Sequence, residues 1–96
     1  MRLVKFVEVY SELLIADNIN HKQYALREVA VNAGDVGMVR YNERLLQELE
    51  KGKMPPDLSE EQEFSSIFIV GSAGSWTKID VIGDLDYVCK KLGSKL

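Results

Sequence analysis

Between Phe64 and Leu92 the spacing of apolar residues changes period twice. Phe64-Ser-Ser-Ile-Phe-Ile-Val70 is dense in β-forming side chains, and Thr77-Lys-Ile-Asp-Val-Ile82 alternates polar with apolar. A period of two predicts a strand with one buried face. Gly71-Ser-Ala-Gly-Ser75 separates the two runs and predicts a hairpin connection, long enough for a mobile tip. After Asp84 the period becomes helical. Leu85, Val88, Cys89 and Leu92 fall at i, i+3, i+4 and i+7, and Gly93 is a stop signal.

The first half reads less uniquely. Leu3-Val-Lys-Phe-Val-Glu-Val-Tyr10 is rich in valine and aromatics, which favours a strand over residues 2–10. Leu3, Phe6, Val7, Tyr10, Leu13 and Leu14 also fit a helical stripe reaching Ala16. Asp17-Asn-Ile-Asn-His-Lys22 has loop composition. Tyr24–Val31 and Val36–Tyr41 read as strands around an Asn32-Ala-Gly-Asp35 turn, and so short a link predicts an antiparallel hairpin.

Asn42 is a suitable N-cap for a helix over 43–51, with Leu45, Leu46 and Leu49 on its apolar face and an Arg44–Glu48 pair at i,i+4. Gly52 and Pro55-Pro56 end it. Residues 52–63 form an acidic connection in which Ser59 and Gln62 have capping-box spacing. The predicted order is β-β-β-α-β-β-α in one domain over residues 1–96. The fold class is α+β: a small, mainly antiparallel sheet of about five strands, with an inserted helix and a C-terminal helix covering one face.

Composition narrows the functional classes. The chain has 96 residues, 46% of them apolar and 28% charged, enough for one modest core. Marginal stability makes association with itself or another protein a natural supplement. A net charge of −3 with scattered cations argues against nucleic acid as a partner. Lys90, Lys91 and Lys95 are grouped, but at the end of the last helix, where cations favour the helix dipole. The single cysteine points to a reducing compartment. Lys5, Glu8 and Glu12 interrupt any signal-peptide core, and no run is long enough to span a membrane. The expected location is the cytoplasm.

Candidate chemistry is sparse. His21 is the only histidine and sits among polar loop residues. One Cys and one His cannot supply a tetrahedral zinc set. Asp57, Glu60, Glu61 and Glu63 lack the spacing and glycine of a calcium loop. Cys89 reads as a small core residue. No Gly-x-Ser-x-Gly motif is present. Gly71-Ser-Ala-Gly-Ser75 offers backbone N–H groups and hydroxyls to an anion, but Trp76 and a strand follow where a phosphate-binding loop has Lys-Ser/Thr and a helix. Trp76 combines a large apolar area with one donor, the profile of an interface anchor. Phe64, Phe68 and Tyr41 share its surface in some registers.

The succession Leu3–Tyr10, Glu28-Val-Ala-Val-Asn32, Asp35-Val36, Ser66-Ile-Phe-Ile-Val70, Ile79-Asp-Val-Ile-Gly83 and Asp86-Tyr-Val-Cys-Lys-Lys-Leu92 resembles the layout of the small FlbD-type proteins of bacterial flagellar operons. It is similar also to short uncharacterised proteins of phage and bacterial genomes. Asn42–Glu63 is an insertion relative to that layout. The resemblance implies a small sheet with a C-terminal helix and transfers no catalytic residue.

The expected function is therefore a non-enzymatic interaction protein. It would be homo-oligomeric, or bind or inhibit another protein, through sheet edges and the Trp76 hairpin. The alternative is a binder of a nucleotide or other phosphate through Gly71, Ser72, Gly74 and Ser75 with Lys78 or Arg40, between subunits. The candidate surface residues are these together with Trp76 and Phe64. No metal and no cofactor are expected.

Overall fold

In the computed structural model, residues 2–16, 19–56 and 58–93 are described, with the backbone alone for 12–16 and 19–22. The elements are β1 (Leu3–Ala16), β2 (Ile19–Asn32), a 3₁₀ turn (Ala33–Asp35), β3 (Val36–Tyr41), α1 (Glu43–Glu50), β4 (Phe64–Val70), β5 (Trp76–Ile82) and α2 (Leu85–Lys91). The fold is α+β, and the expected element order holds.

The N-terminal ambiguity resolves as strand, and a longer one than 2–10. β1 pairs with β2 from Leu3↔Asn32 to Ala16↔Ile19. Residues 19–22 are thus strand and not loop. Asp17 and Asn18 lie outside the described residues, as does the His21 side chain. Cross-strand pairing overrides the local turn propensity of Asn20-His-Lys22, because each added pair closes ladder bonds at little further entropic cost.

The sheet order is β2-β1-β5-β4-β3, with antiparallel neighbours throughout. The expected β2–β3 hairpin does not exist: these strands are the two edges, and they run in the same direction. The edges of a flat five-stranded sheet lie roughly 19 Å apart, at about 4.8 Å per strand. The four Cα steps from Asn32 to Val36 span at most ~15 Å, and less through a 3₁₀ turn. The sheet therefore curls until its edges approach at this corner.

Its inner face gathers Val4, Phe6, Val31, Ile67 and Val81 under Val88 of α2. On the other face, Val9, Tyr24 and Phe64 pack beneath Leu45 of α1 and Met54, with Leu26, Leu49, Leu58 and Ile82 around them. The helices thus cover opposite faces, not one. A curled sheet of this size has an apolar lining on both sides, and one helix cannot seal both.

Each helix starts on a side-chain cap. Asn42 Oδ1 accepts from Leu45 N at 3.1 Å, and Asp84 Oδ1 accepts from Tyr87 N at 2.7 Å. Gly52 after α1 and Gly93 after α2 have φ of 75° and 92°, the left-handed stop expected of glycine. On α2, Val88 is fully buried while Cys89 and Leu92 are half-buried and Leu85 is exposed. Glu48 pairs with Lys53 at 3.3 Å, not with Arg44.

Candidate binding surface

α1, Met54 and Leu58 cover only one end of the outer face. The rest, across β3, β4 and β5, carries an ordered array that is exposed at Trp76, Val70, Lys78 and Arg40, half-buried at Phe68, Met38 and Asp80, and buried at Ser66. The ladders align Trp76 with Val70, Lys78 with Phe68 and Met38, and Asp80 with Ser66 and Arg40. Alternation along each strand puts all these residues on one side. We call this array the platform.

Trp76 anchors its open end and is 56% exposed. Its indole reaches across β4 to Gly37, where a Cβ would fall 2.6 Å from Cη2. The β3–β4 register shifts between Val36 and Met38, so Gly37 is the bulged residue of the edge strand. The missing side chain is what lets the ring lie down there. Val70 beside it is 39% exposed, and Phe68 and Met38 are half-buried.

Two cations border this apolar strip. The Arg40 guanidinium carbon is 6.0 Å from the Phe68 ring centroid. Lys78 stands opposite Phe68 on the other flanking strand and is exposed. The acid in the array is committed inward. Asp80 Oδ1 accepts from Ser66 Oγ at 2.6 Å and from Asn42 Nδ2 at 2.9 Å. Asn42 Nδ2 also lies 3.0 Å from Ser66 Oγ. One asparagine thus caps α1 with its oxygen and ties that helix to the sheet with its nitrogen.

The sequence-derived candidates divide. Trp76, Lys78 and Arg40 come together on the platform. Phe64 does not join them: it is fully buried in the outer core, because its pairing with Ile82 puts it beneath α1. Tyr41 lies opposite Ser65, on the other side of the sheet from Arg40. Its phenol is held above the usual tyrosine range, first by partial burial and then by Glu63, Glu43 and Glu50. Gly71, Ser72, Gly74 and Ser75 form a closed turn beside Trp76. Gly71 N donates to Ser75 O at 2.7 Å, and Ser75 Oγ donates to Ser72 O at 3.0 Å. Ala73 and Gly74 both have positive φ, 59° and 78°. The turn uses its own polar groups to hold its shape.

Met38 is not among the sequence-derived candidates, and only the register reveals that it sits beside Phe68. Lys91 was read as a solvated helix-end cation, but its ammonium donates to the Lys5 carbonyl and lies 5.0 Å from the Phe6 ring and 5.5 Å from that of Tyr87. It occupies one side of an open cavity of about 380 Å³ between β1 and α2. Arg2 completes this seam by donating to Lys91 O at 2.8 Å. Among the described residues no helix is long and apolar enough to cross a membrane. No protein-family model, curated protein or solved structure matches the chain.

Proposed function

We propose that the protein is a non-enzymatic interaction module that binds another protein surface through the platform. The observation that carries this reading is the Trp76–Val70–Phe68–Met38 strip, exposed at Trp76 and Val70 and half-buried at Phe68 and Met38, on one face of the sheet and bordered by Arg40 and Lys78. Trp, Phe, Met and Arg are the residue types enriched at protein interfaces, and a preformed sheet loses little entropy on docking. The strip is shallow, so it suits a macromolecular surface better than a small ligand, which needs a concave site. Two cations in a chain of net charge −3 are too few to hold a phosphate backbone.

Affinity capture with wild type and with Phe68→Glu or Lys78→Glu tests the reading. Proteins held by the wild type should be released by the platform variants, whose circular dichroism and melting should stay near wild type. Retention of every captured protein by both variants would overturn it.

A further inference from the structure

The platform is locally cationic in a chain of net charge −3. Among the described residues the ion pairs are Lys5–Glu28, Arg27–Glu8 and Lys53–Glu48, and neither Arg40 nor Lys78 takes part in one. The acids nearby are engaged elsewhere. Asp80 accepts from Ser66 and Asn42. Asp35, before β3, accepts from Asn32 at 3.1 Å. On α1, Glu48 is taken by Lys53, while Glu43 and Glu50 act on the Tyr41 phenol, across the sheet from Arg40. The Gly71–Ser75 turn at the open end carries no charge. Two cations beside an apolar strip are thus left without a carboxylate.

Their layout repeats that of the strip. Trp76 and Met38 are two strands and two residues apart, and so are Lys78 and Arg40. At about 4.8 Å per strand and about 3.4 Å per residue, each pair spans roughly 12 Å along the same diagonal. The apolar row and the cationic row are therefore parallel, roughly 5–6 Å apart. An α-helix rises about 10.5–12 Å over seven to eight residues, and neighbouring side chains on its surface are about 5–6 Å apart. Apolar residues at i, i+4 and i+7 would cover the first row, and acids on one flank would reach the second. The molecule already seats such a helix on this face. α1, Glu43-Arg-Leu-Leu-Gln-Glu-Leu-Glu50, carries three acids against one cation and packs Leu45 and Leu49 on the other end. Resting on the function proposed above, we infer that the platform takes an acidic amphipathic helix of another protein, its apolar stripe on Trp76, Phe68 and Met38 and its acids on Lys78 and Arg40.

The test titrates the full chain into a fluorescently labelled synthetic peptide and follows its anisotropy. The peptide is about 18 residues long, enough for a helix to form alone, with leucines at i, i+4, i+7 and i+11 and glutamates along one flank. Wild type should bind it about tenfold more tightly than the same peptide with lysine for glutamate, through two exposed charge pairs. The double variant Arg40→Glu, Lys78→Glu should reverse that preference, which a merely misfolded protein cannot do. A central proline, which breaks the helix, should weaken binding by at least about tenfold. Four results would overturn the inference: no binding of the glutamate peptide up to millimolar concentration, a charge preference that is absent or does not reverse, equal binding of the proline peptide, or tighter binding of a single-stranded oligonucleotide. If any of these occurs while Phe68→Glu still releases a protein that wild type captures, the acidic helix fails and the platform reading stands. If captured proteins stay on both platform variants, that reading fails too.

Discussion

Replacing Asn42 separates two roles that one side chain combines. Its oxygen caps α1, and its nitrogen donates to Asp80 and Ser66. Asn42→Ala removes both. Loss of the cap costs about 1 kcal/mol. Loss of a hydrogen bond to a charged acceptor costs about 1.5–3 kcal/mol in full, and about half of that here because Asp80 is only half-buried and keeps its bond from Ser66. The sum is roughly 2–2.5 kcal/mol, or a melting-temperature drop of roughly 10–20 °C for a domain of this size. Asn42→Asp is the informative control. Aspartate caps helices as well as asparagine does, so the cap survives. The donor, however, becomes a second carboxylate beside Asp80. The variant should be at least as unstable as Asn42→Ala at neutral pH, and should recover part of the loss as pH falls through the carboxylate range and the pair takes up a proton. Urea denaturation at pH 7 and near pH 4 measures both variants. If Asn42→Asp matched wild type at pH 7, the network would not be what seats α1 on the sheet.

Ile67 and Phe68 are sequence neighbours on opposite faces, fully buried and platform-facing respectively. Ile67→Ala should cost about 2–5 kcal/mol, and Phe68→Ser well under that, by denaturant titration; equal costs would mean the platform is core. Ala73 has φ 59°, so Ala73→Gly should stabilise the protein by up to about 1 kcal/mol in the same assay, and a loss would contradict the turn geometry. The raised Tyr41 pKa means that its protonated form is favoured in the native state. Its contribution is fully present below the unfolded tyrosine value of about 10 and is lost as pH rises through the native value. Ultraviolet titration should show a late-titrating phenol that Tyr41→Phe removes, and Tyr41→Phe should flatten the alkaline fall in stability.

Local signals carried most of the elements. The caps at Asn42 and Asp84, the glycine stops and the period-two run Thr77–Ile82 each depend on neighbours in sequence, and each appears in the structure where the residues place it. Topology was different. A short Asn32–Asp35 link favours a hairpin in any local reading. What prevents it is the strand order, in which β2 pairs with β1 and β3 with β4, so that the two become opposite edges. The platform was half legible. Trp76, Lys78 and Arg40 are of suggestive type. Their alignment with Phe68, and the exclusion of Phe64, follow from cross-strand register, and a one-residue slip would reverse both. The start of β2 was missed because Asp17–Lys22 has loop composition. Only the pairing with β1 shows that strand continues to Ile19.

The most direct test uses Trp76 itself, the only tryptophan in the chain. Acrylamide quenching of its fluorescence reports solvent access to the platform. It should be strong in dilute protein, where Trp76 is 56% exposed. It should fall, with a blue shift of the emission, once sedimentation shows that a complex with a captured partner has formed. Quenching that is unchanged in a complex of proven mass would place the interface elsewhere and contradict the account.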